Sequence, residues 1–190
     1  MVCRSKWLYL CKSNIDVGVI HGDIKPQNVL VFKDATGKTE VKVADFGYST
    51  LATEDEGTAY LPKSRPWNTP EHHFGEFTAA EAKKRDVYSF GMLCLWVLFG
   101  NNLSAIQTTA VGATELISFD APFSPRTLLE RLKDEDILEQ TANQLINSMS
   151  GLNTEWKVSL KELFGFTVPL NPEKRTSDLR KLKGFFSQER

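Results

Sequence analysis

The sequence predicts a mainly α-helical domain that carries one small β hairpin near its N-terminal end. Thr78 and Glu81 match a capping box, the pattern in which two side chains satisfy free amides at a helix start. Apolar residues then recur as far as Phe99, ahead of a Gly-Asn pair, which indicates a long buried helix. Earlier in the chain, the β-prone runs Val29–Phe32 and Val41–Val43 flank a turn-forming segment, which predicts the hairpin.

The remaining elements are taken in chain order. Residues 1–20 are read as a lead-in that holds the end of a helix, and 190 residues suit a single domain. Residues 48–77 lack periodicity and are rich in Thr, Glu, Gly and Pro, which predicts a long loop. The central buried helix is expected over about residues 79–99. Further helices are predicted near residues 125–133, capped by Ser124 with Pro125 in the first turn, and near 136–150, 154–164 and 176–186.

The composition argues against several classes of partner. With 23 basic and 24 acidic residues the net charge is −1, so we predict neither nucleic acid nor a membrane as a partner. The strongest apolar run, Val87–Phe99, is shorter than the about 20 residues that a membrane span needs. Three scattered cysteines without a Cys-x-x-Cys pair, and the lack of a signal peptide, predict a cytoplasmic protein. The basic run Lys83–Arg85 is read as a solvated helix start.

The segment His21–Asn28 and a later Asp-Phe-Gly tripeptide hold the residues best suited to chemistry. Phosphoryl transfer from a nucleotide needs a carboxylate for the attacking hydroxyl, a cation near the transferred group and oxygen ligands for Mg²⁺. Asp23 can supply the carboxylate and Lys25 the cation. Asn28 and Asp45 can supply the metal ligands, because the predicted hairpin carries the chain out and back to the same cleft.

These motifs resemble those of the eukaryotic protein kinase family, in which H-R-D-L-x-x-x-N is followed by D-F-G and A-P-E. The matching segments occur in the family's order, namely His21–Asn28, Asp45–Gly47, Thr69–Glu71, Asp86–Gly91 and Arg175. The resemblance implies a protein kinase-like fold, ATP and Mg²⁺ as cofactors, and a protein as substrate. It assigns residues 21–186 to the C-terminal lobe, with a catalytic loop at 21–28 and an activation segment at 45–71.

The resemblance also implies roles for single residues near the reacting groups. Asp23, Lys25 and Ser64 would be catalytic, since Ser64 stands where serine/threonine kinases carry a threonine that bridges the base and the lysine. Lys25, Asn28 and Asp45 would bind the nucleotide, and Asn28 and Asp45 would hold the metal. The position of Lys25 resembles the serine/threonine-specific pattern, so transfer to Ser or Thr is expected.

Other positions would support the site without touching the reacting atoms. By the same resemblance, Arg175 would pair with Glu71, and Asp86 would hold the catalytic loop from beneath. Pro66 and Trp67 would form the floor that accepts the substrate residue after the phosphorylated one.

The first residues of the catalytic loop combine a family feature with a departure. His21 is read as a core histidine that shapes the loop by hydrogen bonds. Gly22 replaces the family's arginine, which gathers a phosphorylated activation-loop residue. We therefore expect that activity of the intact enzyme does not depend on phosphorylation of this loop, for example at Thr53 or Thr58.

The larger departure concerns the part of a kinase that covers ATP. The sequence contains no G-x-G-x-x-G and no V-A-I-K strand. We therefore expect that the N-terminal lobe is missing, that the chain as given is inactive, and that an upstream segment or a partner supplies the lobe. Two alternatives stay open: a non-catalytic kinase-like binding module, and a small-molecule phosphotransferase of the aminoglycoside or choline kinase type, whose loop is also H-x-D-x-x-x-x-N.

Overall fold

The computed structural model describes residues 19–51, 58–72, 76–100 and 128–177. Within these ranges the α-helices are α1 (Ala79–Phe99), α2 (Leu128–Asp134), α3 (Leu138–Ser148) and α4 (Thr154–Thr167). The strands are β1 (Val19–Ile20), β2 (Val29–Lys33), β3 (Thr39–Val43), β4 (Thr50–Leu51), β5 (Thr58–Tyr60) and β6 (Glu76–Thr78). Short 3-10 turns occupy Pro26–Asn28 and Pro172–Lys174. The described part is thus helical, with small antiparallel sheets at one end of the chain.

Helix α1 begins at the capping box and confirms the predicted central helix. The backbone N–H of Thr78 donates to Glu81 Oε2 at 2.9 Å, and the backbone N–H of Glu81 donates to Thr78 Oγ1 at 3.3 Å. The helix ends at Phe99, as the sequence predicts. Its middle turns are buried on every side, from Val87 through Leu95 except for the partly exposed Ser89. A helix enclosed in this way is the centre of a core.

Helix α4 packs against α1 and, with α3, completes the main apolar cluster. Leu163 and Phe164 of α4 have no exposed side-chain surface. Gly91 allows the close approach of the two helices, because a Cβ at this position would lie only 2.7 Å from the Cβ of Thr167, the last residue of α4. The small residue in the middle of α1 is therefore a packing requirement.

The β2–β3 hairpin confirms the predicted hairpin and extends each of its strands. Its antiparallel register pairs Val31 with Val41 and Lys33 with Thr39. Two further ladders pair β1 with β4 and β5 with β6. The prediction of one long loop over residues 48–77 is therefore wrong at the strands that fall there. Strands of only two or three residues are too short to show the alternation by which a sequence reveals them.

The later helices confirm three predicted segments, with shifted ends. Helices α2, α3 and α4 correspond to the segments predicted near 125–133, 136–150 and 154–164. Ser124 and Pro125, the lead-in before residue 19, Thr53, and nearly all of the helix predicted at 176–186 lie outside the described residues. In the described part of the chain, no helix has both the length and the apolar character needed to cross a membrane.

Candidate active site

The loop between β1 and the 3-10 turn is held from below by Asp86 of α1. The carboxylate of Asp86 accepts hydrogen bonds from the backbone N–H of His21 at 2.6 Å and from that of Gly22 at 2.9 Å. Burial raises the pKa of Asp86 to about 7, although the two amide hydrogen bonds oppose this shift. The structure thus shows the contact from beneath that the resemblance implies.

His21 links this loop to the Asp45–Gly47 segment. Its Nε2 lies 3.0 Å from the carbonyl oxygen of Ala44, and its Nδ1 accepts from the backbone N–H of Asp23 at 3.3 Å. Burial lowers the pKa of His21, so the neutral ring donates from Nε2 and accepts at Nδ1. The edge of the ring meets Phe46 at a centroid distance of 5.0 Å. His21 therefore has the loop-shaping role predicted from the sequence.

Four of the five predicted site residues form one hydrogen-bonded group. Lys25 Nζ lies 2.6 Å from Asp23 Oδ2 and 3.4 Å from Ser64 Oγ. Asn28 Nδ2 donates to the Asp23 carbonyl at 2.8 Å and contacts Asp23 Oδ2 at 3.3 Å. Asp23 is only 5% exposed, and its Oδ1 is buried without a hydrogen-bond partner among the described residues. The two oxygens of this carboxylate are therefore in different environments.

Asp45, the fifth predicted residue, lies beside this group without a hydrogen bond to it in the described part of the chain. The hydrogen bond from Ala44 N to the Asn28 carbonyl, at 2.8 Å, brings the end of β3 next to Asn28. Asp45 has a φ of 64°, an uncommon conformation that Asp tolerates better than most residues, and its side chain is exposed. The hairpin thus brings the backbone that carries Asp45 close in space to Asn28, and both residues have side-chain oxygens.

Asn28 and Asp45 fit the ligand preference of Mg²⁺. The nitrogen of the Asn28 amide is engaged by Asp23, which leaves the amide oxygen for a cation, and the Asp45 carboxylate is exposed. Mg²⁺ commonly takes one or two protein oxygens and completes its shell with water and phosphate. Among the described residues, no group of three or more His, Cys, Asp and Glu side chains could hold a metal by itself.

A small pocket is lined by Asp23 and Ser64. Asn68 and Thr69 also line it, and Asn68 Oδ1 and Thr69 Oγ1 are buried without a hydrogen-bond partner in the described structure. Unpaired buried oxygens are costly unless a water or a ligand reaches them. No motif in the sequence indicates the polar wall formed by Asn68, and only its place between Ser64 and Glu71 marks it.

The C-terminal end of the activation segment is fixed by an ion pair. Arg175 donates to both carboxylate oxygens of Glu71, at 2.5 and 2.9 Å, and its own side chain has no exposed surface. Burial would raise the pKa of Glu71, but the hydrogen bonds and the charge of Arg175 outweigh it and hold this pKa below its ordinary value. The predicted pairing of Glu71 with Arg175 is therefore present.

Arg85 corrects the interpretation of the basic run at the start of α1. It is 6% exposed, and its guanidinium donates to the Glu71 carbonyl at 3.0 Å and lies 2.8 Å from His72 Nδ1. The same guanidinium stacks over Phe77, 3.7 Å from the ring centroid. Arg85 is thus a buried support of the activation segment, and the prediction of a solvated side chain is wrong at this position.

These features match a known family. The model of the protein kinase domain matches residues 9–167, which is most of the chain. The chain therefore belongs to the protein kinase family.

Several curated kinases are similar to part of the chain. The calmodulin-binding receptor-like cytoplasmic kinase 1 of Arabidopsis thaliana is 36% identical over 88 residues, 45% of this chain and 17% of that protein. The serine/threonine-protein kinase pkn2 of Myxococcus xanthus is 38% identical over 88 residues, 45% of this chain and 10% of its own length. The PTI1-like tyrosine-protein kinase 2 of Arabidopsis thaliana is 36% identical over 106 residues, 55% of this chain and 27% of that protein. The aligned region thus spans a minor part of each relative.

Proposed function

We propose that this chain carries the catalytic lobe of a serine/threonine kinase, which transfers the γ-phosphate of ATP to Ser or Thr of a protein. In this proposal residues 21–186 are the C-terminal lobe. The observation that carries it is the asymmetry of Asp23, whose Oδ2 is held by Lys25 and Asn28 while Oδ1 has no partner among the described residues. An oriented carboxylate with one oxygen not engaged by a described hydrogen bond is an arrangement that suits a general base.

In this proposal Asp23 and Lys25 have different chemical roles. Asp23 Oδ1 would accept the proton of the substrate hydroxyl, because Asp23 and Ser64 line the same pocket and Oδ1 has no hydrogen-bond partner among the described residues. Lys25 would place its ammonium group near the transferred group, where negative charge is spread over the phosphoryl oxygens. The 3.4 Å contact from Lys25 to Ser64 connects this cation to the segment that faces the substrate, and it supports Ser and Thr as acceptors.

Asn28 and Asp45 would hold Mg²⁺ on the nucleotide side of the loop, where Lys25 would also contact the phosphates. When bound, the metal neutralises negative charge on the phosphates of ATP. Phe46 and Tyr48, next to Asp45, are 46% and 47% exposed, so this side presents aromatic surface that a further segment can cover. Together with the lack of a G-x-G-x-x-G motif, this supports the proposal that an upstream segment or a partner supplies the ATP-binding lobe, and that the chain alone is inactive.

The test compares the chain alone with the chain joined to the N-terminal lobe of a related kinase. Each protein is assayed for transfer from Mg-ATP to matched peptides that differ only in a Ser, Thr or Tyr acceptor. We expect no turnover by the chain alone, and turnover on Ser and Thr by the joined protein. Asp23→Asn should lower kcat by about 10²- to 10⁴-fold, the usual contribution of general-base catalysis. Glu162→Gln, a neutralised carboxylate on the exposed face of α4, is the control and should leave the rate unchanged.

Three results would contradict parts of the proposal. Turnover by the chain alone that Asp23→Asn abolishes would disprove the need for an added lobe. Transfer to Tyr but not to Ser or Thr would disprove the acceptor class. A joined protein that gains thermal stability from Mg-ATP but transfers no phosphate would favour the non-catalytic binding module instead.

A further inference from the structure

Lys133 of α2 is a buried lysine that contacts the activation segment. Its side chain has no exposed surface, and its Nζ donates to the carbonyl oxygen of Pro66 at 2.9 Å. Glu130 Oε1, one turn earlier on the same helix, lies 3.5 Å from that Nζ. The contact with Pro66 joins two segments 67 residues apart in the chain. No motif in the sequence marks Lys133, and the proposed mechanism does not use it.

The contacted carbonyl belongs to a tight turn that contains Ser64. The Ser64 carbonyl accepts from the backbone N–H of Trp67 at 2.8 Å and from that of Asn68 at 3.0 Å. Ser89 of α1 donates to the Trp67 carbonyl at 2.9 Å, so two side chains from separate helices hold successive carbonyls of the turn. The Ser64 hydroxyl, at the first residue of the turn, meets Lys25.

A buried lysine is a poor way to stabilise a fold. An ammonium loses its hydration on burial, and burial indeed lowers the pKa of Lys133. Apolar residues of similar volume often replace buried charges without loss of stability. A Met at this position can make neither the hydrogen bond to Pro66 nor the 3.5 Å contact with Glu130.

We propose that Lys133 is a positioning residue that fixes the turn from Ser64 to Trp67, and with it the Ser64 hydroxyl on the side of the site that would face the peptide. The inference rests on the proposed function of this site. It predicts an effect on the peptide side of the reaction, where Ser64 lies, and none on the nucleotide side, where Asn28 and Asp45 lie. Replacing a residue that merely supported the fold would not affect the peptide side without also affecting the nucleotide side.

The experiment replaces Lys133 by Met in the chain joined to an N-terminal lobe. Amide hydrogen exchange should quicken by at least tenfold at Trp67 and Asn68, and stay unchanged in the middle of α1. The KM for a Ser peptide should rise at least fivefold, with an unchanged KM for ATP. Lys157→Met is the matched control, because Lys157 also donates to a single backbone carbonyl, that of Asn147, far from the activation segment in the chain. It should leave both constants unchanged.

Wild-type exchange at Trp67 and Asn68, or an equal rise in both KM values, would overturn the proposal. If Lys133→Met does not fold, Lys133→Gln is measured in the same way, and failure of both to fold would also overturn it by showing a role in the whole fold. The exchange measurement needs no catalysis. If the wild-type protein phosphorylates no peptide, the proposed function fails, while the exchange data still decide whether Lys133 holds the turn.

Discussion

Gly22 stands where the kinase family usually has an arginine, and its surroundings leave no room for any side chain. Its φ is +82°, a region that residues with a Cβ rarely adopt. A Cβ there would lie 2.8 Å from the Tyr48 carbonyl oxygen and 2.9 Å from Leu61 Cδ2. Leu61 can rotate, but the Tyr48 oxygen belongs to the backbone and must shift. We therefore expect Gly22→Ala to destabilise the protein strongly for a single methyl group.

The magnitude is the sum of two costs. A non-glycine residue with positive φ costs about 1 kcal/mol, and forcing a methyl group into a filled space costs about 1 to 3 kcal/mol. The total is about 3 kcal/mol. In a chain of this size each kcal/mol lowers Tm by roughly 2 to 4 °C, so Tm should fall by roughly 6 to 12 °C.

Gly37 provides the matched control for the backbone cost. Its φ is +81°, almost that of Gly22, but no atom lies within 4 Å of where its Cβ would be. Gly37→Ala should therefore cost only the conformational part, about 1 kcal/mol. Urea unfolding of wild type and both variants, followed by circular dichroism, gives the two free energies of unfolding. The difference between the variants, about 2 kcal/mol, measures the contact with Tyr48 and Leu61.

Equal destabilisation by the two variants would refute the steric part of this reasoning. Full wild-type stability of Gly22→Ala would refute both parts. A confirmed effect would also explain why the family's arginine cannot be restored here without displacing the start of the activation segment.

The ion pair, the buried Asp86 and the helix cap each predict a separate effect on stability. Glu71→Gln should cost about 3 kcal/mol at pH 7, because it leaves the buried Arg175 without its anion. Arg175 holds the pKa of Glu71 below its ordinary value of 4.5, although burial of the carboxyl group opposes this shift. The difference in free energy of unfolding between wild type and variant is therefore complete above about pH 4.5, and it becomes smaller as the pH falls through the pKa of Glu71 in the folded protein. A difference of equal size at about pH 3 would contradict this reasoning. Burial raises the pKa of Asp86 from 3.8 to about 7, so the contribution of Asp86 to the free energy of unfolding declines as the pH rises through that interval. In urea unfolding at a series of pH values, Asp86→Asn should therefore weaken the dependence of this free energy on pH. Thr78→Ala removes the capping box and should lower the free energy of unfolding by about 1 kcal/mol in calorimetry, and no loss would show that the cap is unimportant to α1.

The sequence predicts the hydrogen-bonded group well because its members are constrained locally. Asp23, Lys25 and Asn28 lie within six residues, and the 3-10 turn that begins at Pro26 brings Asn28 back to Asp23, which Lys25 already contacts. The position of Asp45 near this group could be predicted only through the hairpin, whose β-prone runs and turn are visible in the sequence. Short-range spacing and one strong local motif were therefore sufficient to place these residues near each other.

The supports of the site could not be predicted in the same way. Arg85 belongs to a basic run at a helix start, and Lys133 lies on a helix rich in charged residues, so both resemble solvated side chains in the sequence. Lys and Arg are rarely buried unless they are paired, and their partners here include carbonyls of the distant segment from Pro66 to Glu71. Burial of this kind arises from the packing of helices on a loop, which no local pattern records.

Helix α1 explains why a chain with these separate motifs forms one site. Asp86 holds the loop at His21, Ser89 holds the turn at Trp67, and Arg85 holds the segment at Glu71. Positions 85 and 89 are four apart and 86 and 89 are three apart, so all three lie on one face of the helix near its start. Because the capping box fixes where that helix begins, it also fixes the register in which this face meets the two loops. Lys133, by contrast, reaches a single carbonyl from another helix, so its loss should disturb the turn alone, whereas a change in α1 should disturb all three contacts together.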